Sequence, residues 1–110
     1  MYGRPTERRD PAYDLAGVQR EFAEGRFQIT RRVLKHLDRR GWSSARIRSC
    51  VAALTPTDFH KSQAHLTRRG VWLDIYRPVF RGERLYVKFT LQEDGVRYRV
   101  LSFCGDGEEH

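Results

Sequence analysis

Apolar residues in the first half of the chain recur at spacings of three and four, which is the period of an amphipathic helix. Three such segments follow one another, and the residues that the spacing turns inward are Leu15, Val18, Phe22, Val33, Leu34, Leu37, Ile47, Cys50, Val51 and Leu54. Residues typical of helix ends flank each segment. The expected N-caps are Asp14, Thr30 and Ser43 or Ser44, and the expected stops are Gly25, Gly41 and Pro56. The sequence therefore predicts three helices before residue 56.

After residue 56 the period changes to two, the alternation of a half-buried β-strand. Two segments carry it clearly, with apolar residues at Val71, Leu73, Ile75, Leu85, Val87, Phe89 and Leu91. Residues 81–83 and 93–95 resemble turns, so a last strand is expected at about 96–103, and a weaker pattern suggests a short strand at 59–65. The predicted fold is α+β, with N-terminal helices packed on one face of a small antiparallel sheet whose other face is polar and open.

Length and the composition of the two ends set the expected domain boundaries. A chain of 110 residues matches one small domain, which we place at residues 13–104. Residues 1–12 are rich in arginine and lack apolar periodicity, so they are expected to form a flexible basic arm. Residues 105–110 form an acidic tail. No apolar run is long enough to span a bilayer and no signal-peptide core is present, so a cytoplasmic location is expected.

The net charge of +7 favours a polyanionic partner. Nucleic acid is the first candidate, because clustered cations release counterions when they bind phosphate. The strand alternation places Tyr86 beside Lys88, and it groups Trp72, Asp74 and Tyr76 on one face of the neighbouring strand. If the two faces coincide, they form a cationic and aromatic surface suited to unpaired RNA. Packing of these aromatic rings across the sheet is an equally good interpretation.

Cysteine and histidine show no metal-ligand spacing. Cys50 and Cys104 lie far apart in the sequence, outside any CxxC motif, and Cys50 falls on the apolar side of a predicted helix. The same lack of clustering holds for His36, His65 and His110. We therefore expect no metal and no cofactor, and a reducing compartment.

Four sequence blocks in the second half of the chain stand out by their order and spacing. They are DFHKS at 58–62, VWLDIYRP at 71–78, LYVKFT at 85–90 and LSF at 101–103. Together they resemble the MqsR family of toxins, and the resemblance extends from about residue 11 to residue 103. It implies a RelE-like fold, endonucleolytic cleavage of messenger RNA with a preference for short GC-containing sites, and tight binding by a cognate antitoxin.

The resemblance also implies which residues are functional. The family's functional lysine falls on Lys61 and its functional tyrosine on Tyr86, whereas Leu73 stands where the family usually has Gln and Cys104 where it usually has Lys. Leu73 indicates either a local bulge in the family or a lost polar contact here. A neutral Cys104 cannot replace a cation that stabilises phosphate charge, so slower cleavage is expected unless an arginine compensates. The arginines considered are Arg77, Arg97 and Arg99.

Metal-free cleavage of RNA requires deprotonation of the ribose 2′-hydroxyl, stabilisation of charge on phosphorus and protonation of the departing 5′-oxygen. We expect Lys61 and Arg77 to supply positive charge and Tyr86 to donate a proton or orient the substrate. His60 is a further catalytic candidate, because imidazole titrates in the useful range. Arg77 could instead form a salt bridge with Asp74. Further RNA contacts are expected from Lys88, which would guide the backbone, and from Trp72, Tyr76, Arg97 and Arg99. The expected products carry a 2′,3′-cyclic phosphate and a 5′-hydroxyl.

Two other functions remain open at this point. The changes at Leu73 and Cys104 would also fit a degenerate family member that binds RNA or antitoxin without cleaving. The predicted helices at 31–54 would fit a helix-turn-helix regulator in which Arg46 and Arg48 face DNA. The regulator leaves the spacing of the four blocks unexplained and therefore ranks last.

Overall fold

The computed structural model describes residues 6–92, 94–95 and 97–108, so residues 1–5 of the predicted arm, residues 93 and 96 of the predicted turn and last strand, and residues 109–110 of the predicted tail lie outside it. The elements in chain order are β1 (Glu7–Arg8), α1 (Leu15–Ala23), β2 (Phe27–Ile29), α2 (Arg31–Arg40), α3 (Ser44–Ala52), β3 (Phe59–Ala64), β4 (Trp72–Tyr76), β5 (Val79–Phe80), β6 (Glu83–Leu91) and β7 (Tyr98–Gly105). Within these residues seven strands form one sheet in the order β1-β3-β4-β6-β7-β2, with β5 paired to β6. The α+β class is confirmed.

The three predicted helices are also confirmed, and two of them begin at side-chain caps. The Asp14 carboxylate accepts a hydrogen bond from the Gly17 amide at 3.0 Å, and the Thr30 hydroxyl accepts one from the Val33 amide at 3.2 Å. Such bonds satisfy N–H groups that the first turn of a helix leaves without partners. Helix α2 ends at Gly41, whose φ of 67° lies in the left-handed region that glycine adopts without strain.

The hydrophobic core lies between the helices and one face of the sheet. Its buried members are Val18, Phe22, Val33, Leu37, Ile47, Cys50, Val51, Leu54, Tyr76, Leu85, Val87, Phe89, Val100 and Phe103. The prediction that Cys50 is buried is confirmed. Leu34 is a correction: it is 47% exposed, because α2 turns Val33, His36 and Leu37 inward instead.

The strands that the period-two pattern did not predict are mostly very short. Strand β2 runs parallel to β7, so the sheet is mixed and not purely antiparallel. Strand β1 pairs antiparallel with β3, with Glu7 opposite Gln63 and Arg8 opposite Ser62. The expectation of a flexible arm is therefore wrong for residues 7–8, which form the edge strand of the sheet. Strands of two or three residues are too short to show a period of two.

A buried carboxylate fixes the segment between β1 and α1. Asp74 of β4 is fully buried, and its two oxygens accept hydrogen bonds from the amides of Ala12 at 2.9 Å and Tyr13 at 3.0 Å. The Tyr13 hydroxyl donates to the Trp72 carbonyl at 2.8 Å. These bonds attach the chain just before α1 to the centre of the sheet, and so help to position β1 at its edge.

Gln19 of α1 closes the end of α3. Its Nε2 lies 3.1, 3.3 and 3.0 Å from the carbonyl oxygens of Val51, Ala52 and Leu54. The last carbonyls of a helix have no N–H donor within the helix, and the Gln19 side-chain amide supplies one for α3. We expect Gln19→Leu to lower the free energy of unfolding by about 1–2 kcal/mol in urea denaturation. Gln28→Leu, at an exposed glutamine, should change it by less than about 0.5 kcal/mol; equal losses in both variants would contradict this role.

Candidate active site

The sheet face opposite the hydrophobic core carries most of the predicted site residues. It is less open than predicted, since Ile75 and Ser102 at its centre are 0% and 1% exposed. Strand register aligns four residues across β3, β4, β6 and β7: Lys61 opposite Ile75, Ile75 opposite Lys88, and Lys88 opposite Ser102. We call these residues the lysine row. Because neighbouring strands lie about 4.8 Å apart, the two lysine backbones stand roughly 10 Å apart with Ile75 between them. A phosphate lying on this row would meet positive charge from both sides.

Tyr86 lies on the same face as the lysine row. It precedes Lys88 by two residues on β6 and pairs with Cys104 of β7, and residues two apart on a strand point to the same side. The predicted grouping of Tyr86 with Lys88 is therefore confirmed, and Lys61 lies on the same face two strands away.

Arg77 and His60 lie at the end of the face nearest Tyr86. The Arg77 guanidinium donates to one oxygen of Asp106 at 2.9 and 2.6 Å. The suggested salt bridge of Arg77 with Asp74 is wrong, because the Asp74 carboxylate already accepts from two backbone amides on the helix side. His60 occupies the register shift before Lys61 in β3. This irregularity inserts an extra residue next to Lys61 and leaves the imidazole exposed.

The side of β4 that faces the helices is not the side that was predicted. Because Ile75 pairs with Lys88, the side chains next to Ile75 in sequence point to the helix side. Tyr76 is 1% exposed, and its ring stacks on Phe89 of the core with centroids 5.9 Å apart. A buried ring cannot stack on a base, so the prediction that Tyr76 binds RNA is wrong. Trp72 shares its side of the strand and lies under the Arg8 guanidinium, 5.2 Å from the ring centroid.

Both residues that depart from the family pattern lie on the same sheet face as the lysine row. Leu73 follows the parity of Ile75 and pairs with Gln63 of β3 without a register shift in β4, which favours a lost polar contact over a bulge. Cys104 is 1% exposed, and burial raises the pKa of its thiol to about 11. At neutral pH the thiol is uncharged, so this part of the face lacks the cation that the resemblance led us to expect.

The surroundings give Tyr86 and His60 different protonation states. Burial, reinforced by the neighbouring Cys104, raises the pKa of the Tyr86 hydroxyl, which therefore keeps its proton at neutral pH. Slight desolvation lowers the pKa of the largely exposed His60, and the positive charges of Arg77 and Lys61 lower it further. His60 is therefore mostly the neutral imidazole at pH 7. One group can donate a proton and the other can accept one.

Glu7 of β1 contacts Lys61, although nothing in the sequence pattern marked it. Its carboxylate accepts a hydrogen bond from the Lys61 ammonium at 2.5 Å. This bond, together with the lysine charge, lowers the pKa of Glu7, so the carboxylate remains ionised through neutral and mildly acidic pH. A phosphate that binds Lys61 must therefore compete with a resident carboxylate.

Removing the Glu7 charge should strengthen RNA binding. We expect Glu7→Gln to lower the Kd for a non-cleavable single-stranded RNA about threefold at low salt, because Lys61 no longer has a competing anion. Fluorescence anisotropy measures the change. Glu24→Gln, at an exposed residue beyond the end of α1, alters net charge equally and should leave the Kd within about twofold. The same gain in both variants would show that net charge alone is responsible.

Arg97, just before β7, and Arg99, near its start, lie too far from residue 104 to replace a cation there. Arg99 pairs opposite Thr90 and lines a separate cleft of about 410 Å³, and Arg97 lies 3.5 Å from the Asp94 carboxylate. Five residues of strand separate Arg99 from Cys104, roughly 16 Å. Any contact of these arginines with RNA would therefore lie outside the lysine row. Their proposed compensation for Cys104 is not supported.

Arg32 of α2 is a cation that sequence reasoning missed. Helix α2 packs along β7, and the Arg32 charge contributes to lowering the pKa of Lys88, after burial, and acts in the same direction on Cys104. Arg32 is thus close to the position where the resemblance implies a lysine. The sequence signal for Arg32 is weak: it is a basic side chain one helical turn before His36. That spacing does not indicate which strand α2 packs on.

Three further expectations concern metals, membranes and disulfides. In residues 6–92, 94–95 and 97–108, no group of three or more His, Cys, Asp or Glu side chains is arranged to hold a metal ion. Over the same residues, no helix combines the length and apolar character needed to cross a membrane. Cys50 and Cys104 are both buried free thiols.

Comparison with known proteins identifies a family and a relative. A family model described as "Motility quorum-sensing regulator, toxin of MqsA" matches residues 10–105. A protein of Escherichia coli (strain K12) named "mRNA interferase toxin MqsR" is 28% identical over 97 residues, which cover 88% of this chain and 96% of the relative. The match includes β3, β4, β6 and β7, which carry the lysine row, and excludes Glu7.

Proposed function

The chain belongs to the MqsR toxin family, and we propose that it is the toxin of a type II toxin–antitoxin system that cleaves messenger RNA without a metal. The observation that carries the proposal is the lysine row beside Tyr86, since it joins two cations and a protonated phenol on one sheet face. The relative named an mRNA interferase supports RNA as the substrate. We propose a RelE-like fold and a cytoplasmic location on the same grounds.

The cations would bind the phosphate that is attacked. Lys61 and Lys88 approach from two sides of Ile75, and Arg77 lies beyond the end of β4 with its guanidinium held by Asp106. Charge that builds on the phosphorane oxygens is stabilised most by donors already in place before the reaction. The Asp106 contact holds the Arg77 fork in one orientation and uses its Nε and Nη2 donors, so a phosphate would bind the remaining N–H groups or displace the carboxylate.

The proton transfers would be divided between His60 and Tyr86. The neutral His60 imidazole takes the proton of the ribose 2′-hydroxyl as that oxygen bonds to phosphorus, and the bond to the 5′-oxygen breaks. The Tyr86 phenol gives its proton to the departing 5′-oxygen. The products are a 2′,3′-cyclic phosphate and a 5′-hydroxyl, and proton return from His60 to Tyr86 through solvent restores the enzyme.

Cleavage should decline in mild acid if His60 is the base. Because the pKa of His60 is lowered, the imidazole stays neutral and active at pH 7 and is lost as pH falls through that lowered value, below about 6.5. We expect His60→Gln to cut the rate at pH 7 about tenfold or more and to flatten this acid limb. Single-turnover rates from pH 5 to 8 measure both effects. An unchanged acid limb in the variant would exclude His60.

The direct test is cleavage of a GC-containing RNA by the purified protein in EDTA, with the product ends mapped. Products ending in 2′,3′-cyclic phosphate, formed by the wild type and strongly reduced in Tyr86→Phe, are expected. Tyr86→Phe removes the transferable proton and keeps the ring, so the fold should be intact. Cleavage only when a divalent metal is restored, or products with 3′-hydroxyl ends, would overturn the proposed mechanism.

A second candidate function is favoured by the chemistry of the two changed positions. Leu73 is apolar and Cys104 is a buried neutral thiol, so a protein that binds RNA but does not cut it would fit them. Intact RNA in the assay above, with binding retained, would establish that function.

A DNA-binding role for α2 and α3 is not supported, because the Arg48 guanidinium donates to the Ala23 carbonyl at 2.8 Å and Arg46 lies over the Trp42 ring.

A cognate antitoxin is the proposed protein partner. The family is described as the toxin of MqsA. A nuclease that inhibits growth also requires a partner that blocks it. We expect the product of a neighbouring gene to co-purify with this chain and to restore growth when both are expressed. Failure of every neighbouring gene product to do either would contradict the proposal.

A further inference from the structure

Helix α2 carries a cationic cleft that the proposed reaction does not use. Arg32, Lys35, His36 and Arg39 line it from one side of the helix, and Glu108 lines it from the C-terminal turn. Their spacing of three, four and seven residues brings the helix residues onto one face. The volume of about 220 Å³ is enough for a small anionic group. We call this the α2 cleft.

No salt bridge within the described residues neutralises Arg32, Lys35 or Arg39 of the α2 cleft. The Glu108 carboxylate accepts hydrogen bonds from the Arg40 guanidinium and from the Gly105 amide, both at 2.8 Å. By contrast, Arg32, Lys35 and Arg39 form no salt bridge with any described residue. Three cations face one carboxylate that already has two donors, so the cleft favours an anion.

A buried polar atom in the wall of the cleft also lacks a partner. The His36 side chain is buried, and its Nδ1 makes no hydrogen bond within the described part of the chain. Buried polar atoms in folded proteins are nearly always paired, and a bound water or ion is one explanation of an exception. An imidazole between Arg32 and Arg39 on one helix face could share in binding an oxyanion.

The α2 cleft adjoins the lysine row through Arg32. Strand β7 lies between them: it pairs with β6 on one side, and α2 packs along it. The influence of Arg32 on the titration of both Lys88 and Cys104 agrees with this proximity. A single strand of RNA lying across the row from Lys61 to Lys88 would therefore reach the cleft next.

We propose that the α2 cleft binds a backbone phosphate of the RNA, separate from the phosphate that is cleaved, with Arg32 as its main ligand. The proposal rests on the proposed function for its choice of ligand. A guanidinium offers two parallel N–H donors to a phosphate, which fits this chemistry better than an ammonium does. Binding at a second phosphate would orient the strand and supply charge near the position where the family lysine is absent.

The test is RNA affinity as a function of salt, with a variant matched for charge. The probe is a short single-stranded RNA carrying 2′-O-methyl groups, which cannot be cleaved by 2′-hydroxyl attack. We expect Arg32→Gln to weaken binding about tenfold at low salt and to reduce the slope of log affinity against log salt by about 0.7. Arg31→Gln removes the same charge from an exposed neighbour outside the cleft and should change affinity by less than about twofold.

The outcomes separate this proposal from the proposed function. Equal effects of Arg32→Gln and Arg31→Gln, or normal RNA affinity with weakened antitoxin binding in Arg32→Gln, would overturn the cleft as a phosphate site, whether or not the wild type cleaves. Selective loss of affinity in Arg32→Gln would support it even if unmodified RNA stayed intact, an outcome that would overturn only the nuclease activity. Both positions are exposed helix residues, and circular dichroism verifies that both variants are folded.

Discussion

Lys61→Ala is expected to reduce the single-turnover rate of RNA cleavage about 100-fold or more, because it removes a cation from one end of the lysine row. Charge on the phosphorane is larger than charge on the bound phosphate, so the loss should fall mainly on the rate and less on RNA affinity. Lys61→Arg keeps the charge and should recover part of the rate. Rates are measured in EDTA with the same GC-containing RNA, and affinity with its 2′-O-methyl form.

Arg69→Ala is the matched control for Lys61→Ala. Arg69 is an exposed cation in the loop before β4, and its removal changes the net charge by the same amount. We expect its cleavage rate to stay within about twofold of the wild type. An equal loss in both variants would assign the effect to general attraction of RNA. A wild-type rate in a folded Lys61→Ala protein would remove Lys61 from the mechanism.

The helices were predictable because their signals are local. The Asp14 and Thr30 caps act within three residues of their own backbone, and Gly41 supplies its left-handed conformation without help from distant residues. Leu34 is the exception, since the inward side of α2 depends on where the helix packs. A face chosen by tertiary contact can differ by one residue from the face that the local pattern suggests.

The side of β4 was not predictable from its alternation. Its two faces carry Leu73 and Ile75 on one side and Asp74 and Tyr76 on the other, and hydropathy favours burying the first pair. The structure turns the second pair toward the helices, and Ile75 of the first pair is buried on the opposite face. It does so because the amides of residues 12 and 13 satisfy the Asp74 carboxylate, and that partnership spans about sixty residues of sequence.

Only those parts of the candidate site that lie within a single strand were predictable from the alternation. Tyr86 and Lys88 share a face by parity, and the family resemblance supplied Lys61. Register between strands was needed to place Lys61 and Lys88 in one row, and long-range packing was needed to bring Glu7 and Arg32 to it. Glu7 lies in the segment expected to be a flexible basic arm, and Arg32 lies on a predicted helix whose basic side chains had no assigned role, so neither residue could be separated from general surface charge.

Asp74→Ala is expected to lower the free energy of unfolding by about 3 kcal/mol or more, since it leaves two buried backbone amides without an acceptor. Asp74→Asn keeps one acceptor oxygen and should lose less. Urea denaturation measures the change, and Asp38→Ala, at an exposed carboxylate of α2, should stay within about 0.5 kcal/mol of the wild type. Equal stability of Asp74→Ala and Asp38→Ala would contradict the structural role.

Asp74 of the VWLDIYRP block therefore stabilises the fold and has no contact with RNA in the proposed mechanism. Its carboxylate faces the helix side while the lysine row lies on the other side of the sheet, so it cannot contact RNA bound there. We expect the folded fraction of Asp74→Asn to cleave at a rate within about threefold of the wild type at a temperature well below its unfolding transition. A fully folded Asp74→Asn protein with the same loss as Lys61→Ala would show that the carboxylate reaches the site, and would require a different register for β4.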